Sequence, residues 1–306
     1  MELRHLRYFV AVAEVQNLTK AAAQLRVAQP ALGRQVQDLE DELGVDLLRR
    51  SPRGVTLTAE GKLFLEEVRE ILKRTEESVE KVRALARGEY GELHIGYAPS
   101  PSVELLPPAL AAFKKAAPRV RIVLHDLGSD ELMVRLQDGT LELAITVANA
   151  EEAIKGIEFE ELLRYSFCLA MSAGHPFTRK KSISLTEVAT QPLVGLIRRE
   201  YTEYYRHLDR MFSEAKVRPR IAVECDGSTS MLTELEGGNN VAIVSELFKQ
   251  VAGKRLLYRP LAGVTEFHSV GIARATKGDV TPAGEKFCEM LRQAAKNLRA
   301  VKTKGK

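Results

Sequence analysis

Apolar residues recur every three to four positions at Leu3, Leu6, Phe9, Val10 and Ala13, so an amphipathic helix is predicted from about Leu3 to Gln16. Asn17 is expected to end it. Thr19 stands where a cap would open a second, short helix over Lys20 to Leu25, whose alanines permit a close corner. After Arg26-Val27 a third helix is predicted. Pro30 lies in its first turn, Leu32, Val36, Leu39 and Leu43 share a face, and Gly44 suits a left-handed end. Two short apolar runs, Asp46 to Arg50 and Val55 to Leu57, flank Ser51-Pro52-Arg53-Gly54, a turn with proline second and glycine last, which predicts a hairpin with Arg53 at its tip. From Thr58 to about Arg87 the apolar positions Phe64, Val68, Ile71, Thr75, Val79, Val82 and Ala86 keep helical spacing without a proline. So narrow a stripe on so long a helix is best buried against a second copy of itself, which makes residues 59–88 a dimerising linker.

A different rhythm begins after Gly88-Glu89-Tyr90-Gly91. Leu93, Ile95 and Tyr97 alternate as a strand, Pro107 to Ala117 reads as a helix, Val120, Ile122 and Leu124 alternate again, Ser129 or Asp130 caps another helix, and Leu141 to Val147 is a short apolar strand. Further strands are expected at Ser166 to Met171, Leu193 to Ile197, Ile221 to Cys225, Val241 to Val244 and His268 to Ala273, with a closing helix from Thr281. Alternation at this pace predicts an α/β region with mainly parallel strands, enough for two small lobes.

With 306 residues the chain exceeds what one core usually organises, and 45% hydrophobic with 28% charged residues is ordinary globular usage. The charged start Met1-Glu2-Leu3-Arg4-His5 lacks a signal core, so a cytoplasmic protein is expected. A net charge of +4 says little by itself, but its distribution does. Val15 to Gln37 and Leu47 to Ala59 are free of acids and carry Lys20, Arg26, Arg34, Arg49, Arg50 and Arg53, whereas Asp38, Glu40, Asp41, Glu42 and Asp46 lie between them. Two basic patches without carboxylates suit a phosphate-facing surface, and the N-terminal half of the third helix, with Gln29, Pro30, Gly33 and Arg34 opposite the leucines, suits base reading. A helix-turn-helix followed by a basic hairpin is a winged DNA-binding arrangement. Enzyme chemistry is not legible: the six histidines have no paired metal spacing, and no Walker A or G-x-S-x-G motif occurs. No metal or cofactor is implied. Cys168, Cys225 and Cys288 fit neither a disulfide framework nor a C-x-x-C motif, although Cys225, at an expected strand end, is the one candidate for a redox sensor.

Residues 1–88 resemble the N-terminal part of a LysR-type transcriptional regulator through Leu6-Arg7-Tyr8-Phe9, Thr19-Lys20-Ala21-Ala22 with Leu25, Ala28-Gln29-Pro30-Ala31-Leu32, Leu39-Glu40 with Leu43-Gly44, and Leu47-Leu48-Arg49-Arg50 through Leu57-Thr58 and Gly61. Ala28 and Gly33 depart from it, since the family often has serine there. The resemblance implies base or phosphate contacts from Gln29, Pro30 and Arg34, backbone contacts from Arg53, and Arg50 as either a contact or a brace of the hairpin. It further implies a domain of winged helix-turn-helix (1–58), linker (59–88) and a two-lobed α/β effector domain (89–306) like the type 2 periplasmic binding proteins, with lobe 1 over 89–164 and 268–300 and lobe 2 over 165–267. A small-molecule effector would sit between the lobes. Loop hydroxyls and a guanidinium suggest a carboxylate, with Ser100, Ser102, Ser129, Arg199 and Thr202 as candidate contacts. Expected partners are double-stranded DNA with an inverted repeat, a second copy in a homodimer or homotetramer, and RNA polymerase, with no membrane. The alternatives are a redox-sensing regulator using Cys225 and a DNA-binding protein without an effector.

Overall fold

The structure, a computed structural model, describes residues 1–51, 54–98, 102–148, 155–278 and 280–304. Two compact units divide at Ala84/Leu85. In the first, α1 (Leu3–Val15), α2 (Leu18–Leu25) and α3 (Gln29–Leu43) surround a core of Leu6, Phe9, Val12, Ala21, Leu32, Val36 and Leu39. Asn17 does not merely end α1. Its Oδ1 accepts the Lys20 N–H at 3.0 Å and so caps α2, the role expected of Thr19, while Gln16 takes the left-handed conformation that closes α1. The short hairpin is present as β1 (Leu48–Ser51) and β2 (Gly54–Leu57), antiparallel with Arg50 opposite Val55.

Glu40, in the acidic run between the two basic patches, serves the fold. It is buried, and its Oε1 accepts the N–H groups of Leu47 and Leu48 at 2.7 and 2.9 Å, which ties the start of β1 to α3. Thr58 does open α4 (Ala59–Ala86): its Oγ1 accepts the Gly61 N–H at 2.9 Å and donates to the Asp46 carbonyl at 2.8 Å. Glycine is required three residues on, because a Cβ on Gly61 would lie 2.0 Å from the Leu47 carbonyl oxygen. Beyond Val68 the helix leaves Ile71, Val79, Val82 and Leu85 exposed.

The second unit holds a continuous run of strands: β3 (Gly91–Tyr97), β4 (Val120–Asp126), β5 (Leu143–Ala148), β6 (Ile157–Met171), β7 (Ile183–Ser184), β8 (Pro192–Leu196), β9 (Arg220–Cys225), β10 (Val241–Ser245), β11 (Leu257–Ala262) and β12 (Phe267–Ala275). Their order is β4-β3-β5-β12-β6-β10-β8-β9, with β11 and β7 paired beside β6. The pairs β3/β4, β3/β5 and β8/β9 are parallel, whereas β6 and β12 run antiparallel to each other. The helices between them are α5 (Leu106–Ala116), α6 (Ser129–Gln137), α7 (Leu185–Val188), α8 (Thr202–Glu214), α9 (Ser228–Gly237), α10 (Phe248–Ala252) and α11 (Pro282–Lys304).

Strand β6 is longer than the expected Ser166 to Met171. Its first half, Glu158-Phe159-Glu160-Glu161, has the composition of a surface loop, yet tertiary partners hold it extended. Arg292 of α11 grips the Glu160 carboxylate through Nε and Nη2, both at 2.8 Å, and thereby holds that carboxyl below its usual range. Arg292 is thus a structural residue rather than part of a free basic tail. The same strand joins the lobes. Through Ser166 it pairs with β12, and from Phe167 it pairs with β10. One core gathers Phe113, Ile145, Val270, Phe287 and Leu291 in lobe 1, and others gather Phe212, Val241 and Ile243, or Val194, Leu232 and Phe248, in lobe 2.

Candidate functional site

In the first unit Gln29, Pro30, Arg34 and Gln37 are all exposed along α3, on the side away from Leu32, Val36 and Leu39. Ala28 precedes the helix without a side-chain cap, and a Cβ on Gly33 would meet nothing within 4 Å, so the two serine-to-small departures remove hydroxyls without any packing reason. Arg50 reaches across from β1 and donates to the Gln37 Oε1 at 3.2 Å. That bond braces the hairpin against α3 and sets a guanidinium one helical turn beyond Arg34. Arg53 lies outside the described residues.

In the second unit a mainly apolar cavity of about 90 Å³ lies between the lobes. Its wall includes Ala98 and Val147 from lobe 1, Phe167 and His268 from the two crossing strands, and Tyr201, Tyr204, His207, Met231, Val244 and Phe248 from lobe 2. The polar groups are Ser129 at the start of α6, Ser228 at the start of α9, and Ser245 at the end of β10. Tyr204 spends its hydroxyl on the Ile243 carbonyl at 3.0 Å, and Tyr201 donates to the Asp226 carbonyl at 2.9 Å. Burial, and then the charges of Asp126, Glu200 and Asp226, push the Tyr201 hydroxyl up to about 12. His207 Nδ1 lies 2.7 Å from Glu266 Oε1. His268 is buried with its ring 5.1 Å from that of Phe167, and its Nε2 has no hydrogen-bond partner among the described residues. Burial, helped by the neighbouring His207, lowers its pKa to about 3 and keeps it neutral.

Of the effector contacts expected from sequence, only Ser129 lines this cavity, and Thr202 lies beside it in the same cleft. Thr202 is already engaged: its N–H, at 3.3 Å, and its hydroxyl both meet the Asp130 carboxylate of the other lobe. Ser102 is a correction. It is buried and donates to the Ala98 carbonyl at 2.8 Å, which makes it a fastener of the turn after β3. Arg199 is a second correction, since its side chain is 83% exposed and pairs with its neighbour Glu200. Ser100 lies outside the described residues. Tyr201, Tyr204, His207, Ser228, Ser245 and His268 line the cavity and were not among the residues expected from sequence. The available signal was positional, because most of them stand at the end of a predicted strand or the start of the next helix.

Cys225 gives the redox alternative no support. It is buried, and burial raises its pKa, so the thiolate that oxidants attack is disfavoured. Among the described residues no group of three or more His, Cys, Asp or Glu side chains is placed to hold a metal ion, and no helix is long and apolar enough to cross a membrane.

Comparison with known proteins accounts for both regions. The model of a bacterial regulatory helix-turn-helix protein, lysR family, matches residues 3–62, and that of the LysR substrate binding domain matches residues 86–296. The chain belongs to the LysR family. It is therefore a DNA-binding transcriptional regulator with an effector-binding domain, and its relatives are regulators rather than enzymes. This LysR-type regulator is 32% identical over 262 residues to the HTH-type transcriptional regulator AlsR of Bacillus subtilis (strain 168), covering 85% of this chain and 86% of that one. It is 31% identical over 265 residues to BenM of Acinetobacter baylyi, with 85% and 86% covered. The crystal structure of full-length CbnR complexed with its target DNA superposes with a TM-score of 0.80 at 30% identity, covering 96% of this chain and 100% of that one.

Proposed function

We propose that this regulator reads an inverted-repeat promoter site as a dimer or a dimer of dimers. Gln29, Pro30 and Arg34 address bases and neighbouring phosphates, Arg50 and Arg53 address the backbone beside the hairpin, and RNA polymerase is the downstream partner in a cytoplasmic setting. The carrying observation is the exposed, acid-free N-terminal half of α3 on a unit whose opposite face is fully packed. Dimer formation is supported by Ile71, Val79, Val82 and Leu85 of α4, large apolar side chains that the single chain leaves exposed at helical spacing.

A small-molecule effector in the inter-lobe cavity would act by favouring one lobe arrangement over another. Contacts between lobes give it something to bias: Asp130 with Thr202, and Glu104 with Gln250. A carboxylate-bearing effector is the competing reading: at the start of α9 Ser228 lines the cavity and the first turn holds no acid, although Asp226 stands just before it.

Selection of genomic fragments by the full-length protein at near-physiological salt tests the DNA reading. Recovery of an inverted repeat beside one operon is expected. Arg34→Ala should reduce affinity for that repeat by about 1 to 3 kcal/mol and leave binding to random DNA nearly unchanged. Equal loss on both DNAs would overturn the base-reading role of Arg34.

A further inference from the structure

We propose that the inter-lobe cavity selects an effector whose buried part is uncharged, a compact apolar molecule with one hydroxyl, carbonyl or amide group that hydrogen-bonds His268, and that it discriminates against the matching carboxylate. The inference rests on reading this cavity as the effector site and specifies what that site accepts.

The wall of the cavity supplies no cation. Neither lysine nor arginine lines it among the described residues. Cations close by are already matched with carboxylates. Arg198 makes two bonds to Asp209 at 2.9 and 3.1 Å, Arg199 pairs with Glu200, and Arg206 pairs with Glu203. Any positive charge on His207 meets Glu266 at 2.7 Å.

Carboxylates stand near the wall. The Tyr201 hydroxyl, on the wall, feels Asp126, Glu200 and Asp226, the last of which stands just before the N-terminus of α9. At the start of α6 the first turn carries Asp130 and Glu131, and Asp130 already occupies the N–H and hydroxyl of Thr202 at the start of α8. A ligand carboxylate would therefore enter without a counterion and against like charge, which is far costlier than burying a neutral polar group that finds a partner.

One neutral partner is waiting. His268 is 94% buried by virtue of its 6% exposure, it lines the cavity, and its Nε2 is unpartnered among the described residues. A neutral imidazole offers one N–H and one lone pair, which matches an alcohol, ketone or amide. Buried polar atoms are rarely left unmatched, so a group that satisfies this one gains affinity. The rest of the wall, including Phe167, Met231, Val244 and Phe248, provides only apolar contact.

Isobutyramide and isobutyrate have the same shape and differ in charge. Their binding to the full-length protein at pH 7.5, followed by titration calorimetry or ligand-observed NMR, should favour the amide by at least about tenfold. His268→Phe should lose most of its affinity for the amide while retaining DNA binding, which reports that the variant is folded. Isobutyrate binding as tightly as the amide, or amide binding unchanged in His268→Phe, would overturn the proposal. So would the absence of saturable binding by the amide. Val147→Phe, which fills the cavity, separates this failure from that of the effector-site reading: if isobutyrate is the ligand that binds and the variant abolishes its binding, the site stands and only its charge class is wrong.

Discussion

The DNA-reading surface and the inter-lobe cavity are built by opposite means. On α3 the side chains proposed to read DNA are exposed, lie within six residues from Gln29 to Arg34, and are oriented by a face of leucines that repeats at helical spacing. The cavity draws its wall from residues between Ala98 and His268, most of which are individually unremarkable apolar or hydroxyl side chains. A local site announces itself through period and charge. A site assembled between two lobes does not, because its chemistry depends on which charges nearby are already satisfied.

Changes that move one region without the other sharpen this contrast. The largest effect is expected from Gly61→Ala, whose Cβ would sit 2.0 Å from the Leu47 carbonyl oxygen at the junction of α3, β1 and α4. Overpacking against rigid backbone should cost about 2 to 3 kcal/mol. Scanning calorimetry should show the transition of the first unit lowered and that of the second unmoved; a common shift in both would break the contrast.

Acid reports on the cavity instead. The folded pKa of His268 is lowered to about 3 from an ordinary 6.5, so the unfolded chain takes up a proton that the folded one refuses. The resulting stability is complete above pH 6.5 and is lost as pH falls from there toward 3, by about 1.4 kcal/mol per pH unit through most of that window. Between pH 6.5 and 5 the wild type should lose about 2 kcal/mol more than His268→Phe in urea unfolding of the second unit. Equal pH slopes would show that this imidazole is not held neutral.

A smaller effect of opposite sign is expected in α3. Gly33 has room for a Cβ, and replacing it with alanine should stabilise the first unit by up to about 1 kcal/mol through helix propensity, read as a raised melting temperature. Arg199→Ala should do least of all. Its side chain is solvent-exposed and pairs only with the adjacent Glu200, so stability should stay within about 0.5 kcal/mol and effector binding should not change.

How much was legible follows the same division. The three helices of the head, the hairpin, the glycine after Thr58 and the long helix were all visible, with one cap misplaced, since Asn17 took the role given to Thr19; the buried tie that Glu40 makes between α3 and β1 was not predicted. In the second unit most strands and helices were found near their true bounds, but β6 was read too short, because its polar first half is held in the sheet by arginines distant in sequence. The effector contacts fared worst. Ser102 and Arg199 had suitable chemistry but do not line the inter-lobe cavity, whereas His268 lines it and had no sequence mark.

What the sequence determined by itself is whatever depends on near neighbours along the chain: helix faces, caps, the acid-free reading surface and the family to which they belong. Only the tertiary structure decided which loop residues meet across the lobes, that Asp130 already fills the Thr202 position, and that the cavity lacks a free cation among the described residues. The physical reason is that charge and hydrogen-bonding capacity belong to residue types, but whether they remain available is settled by partners that folding brings from far along the chain.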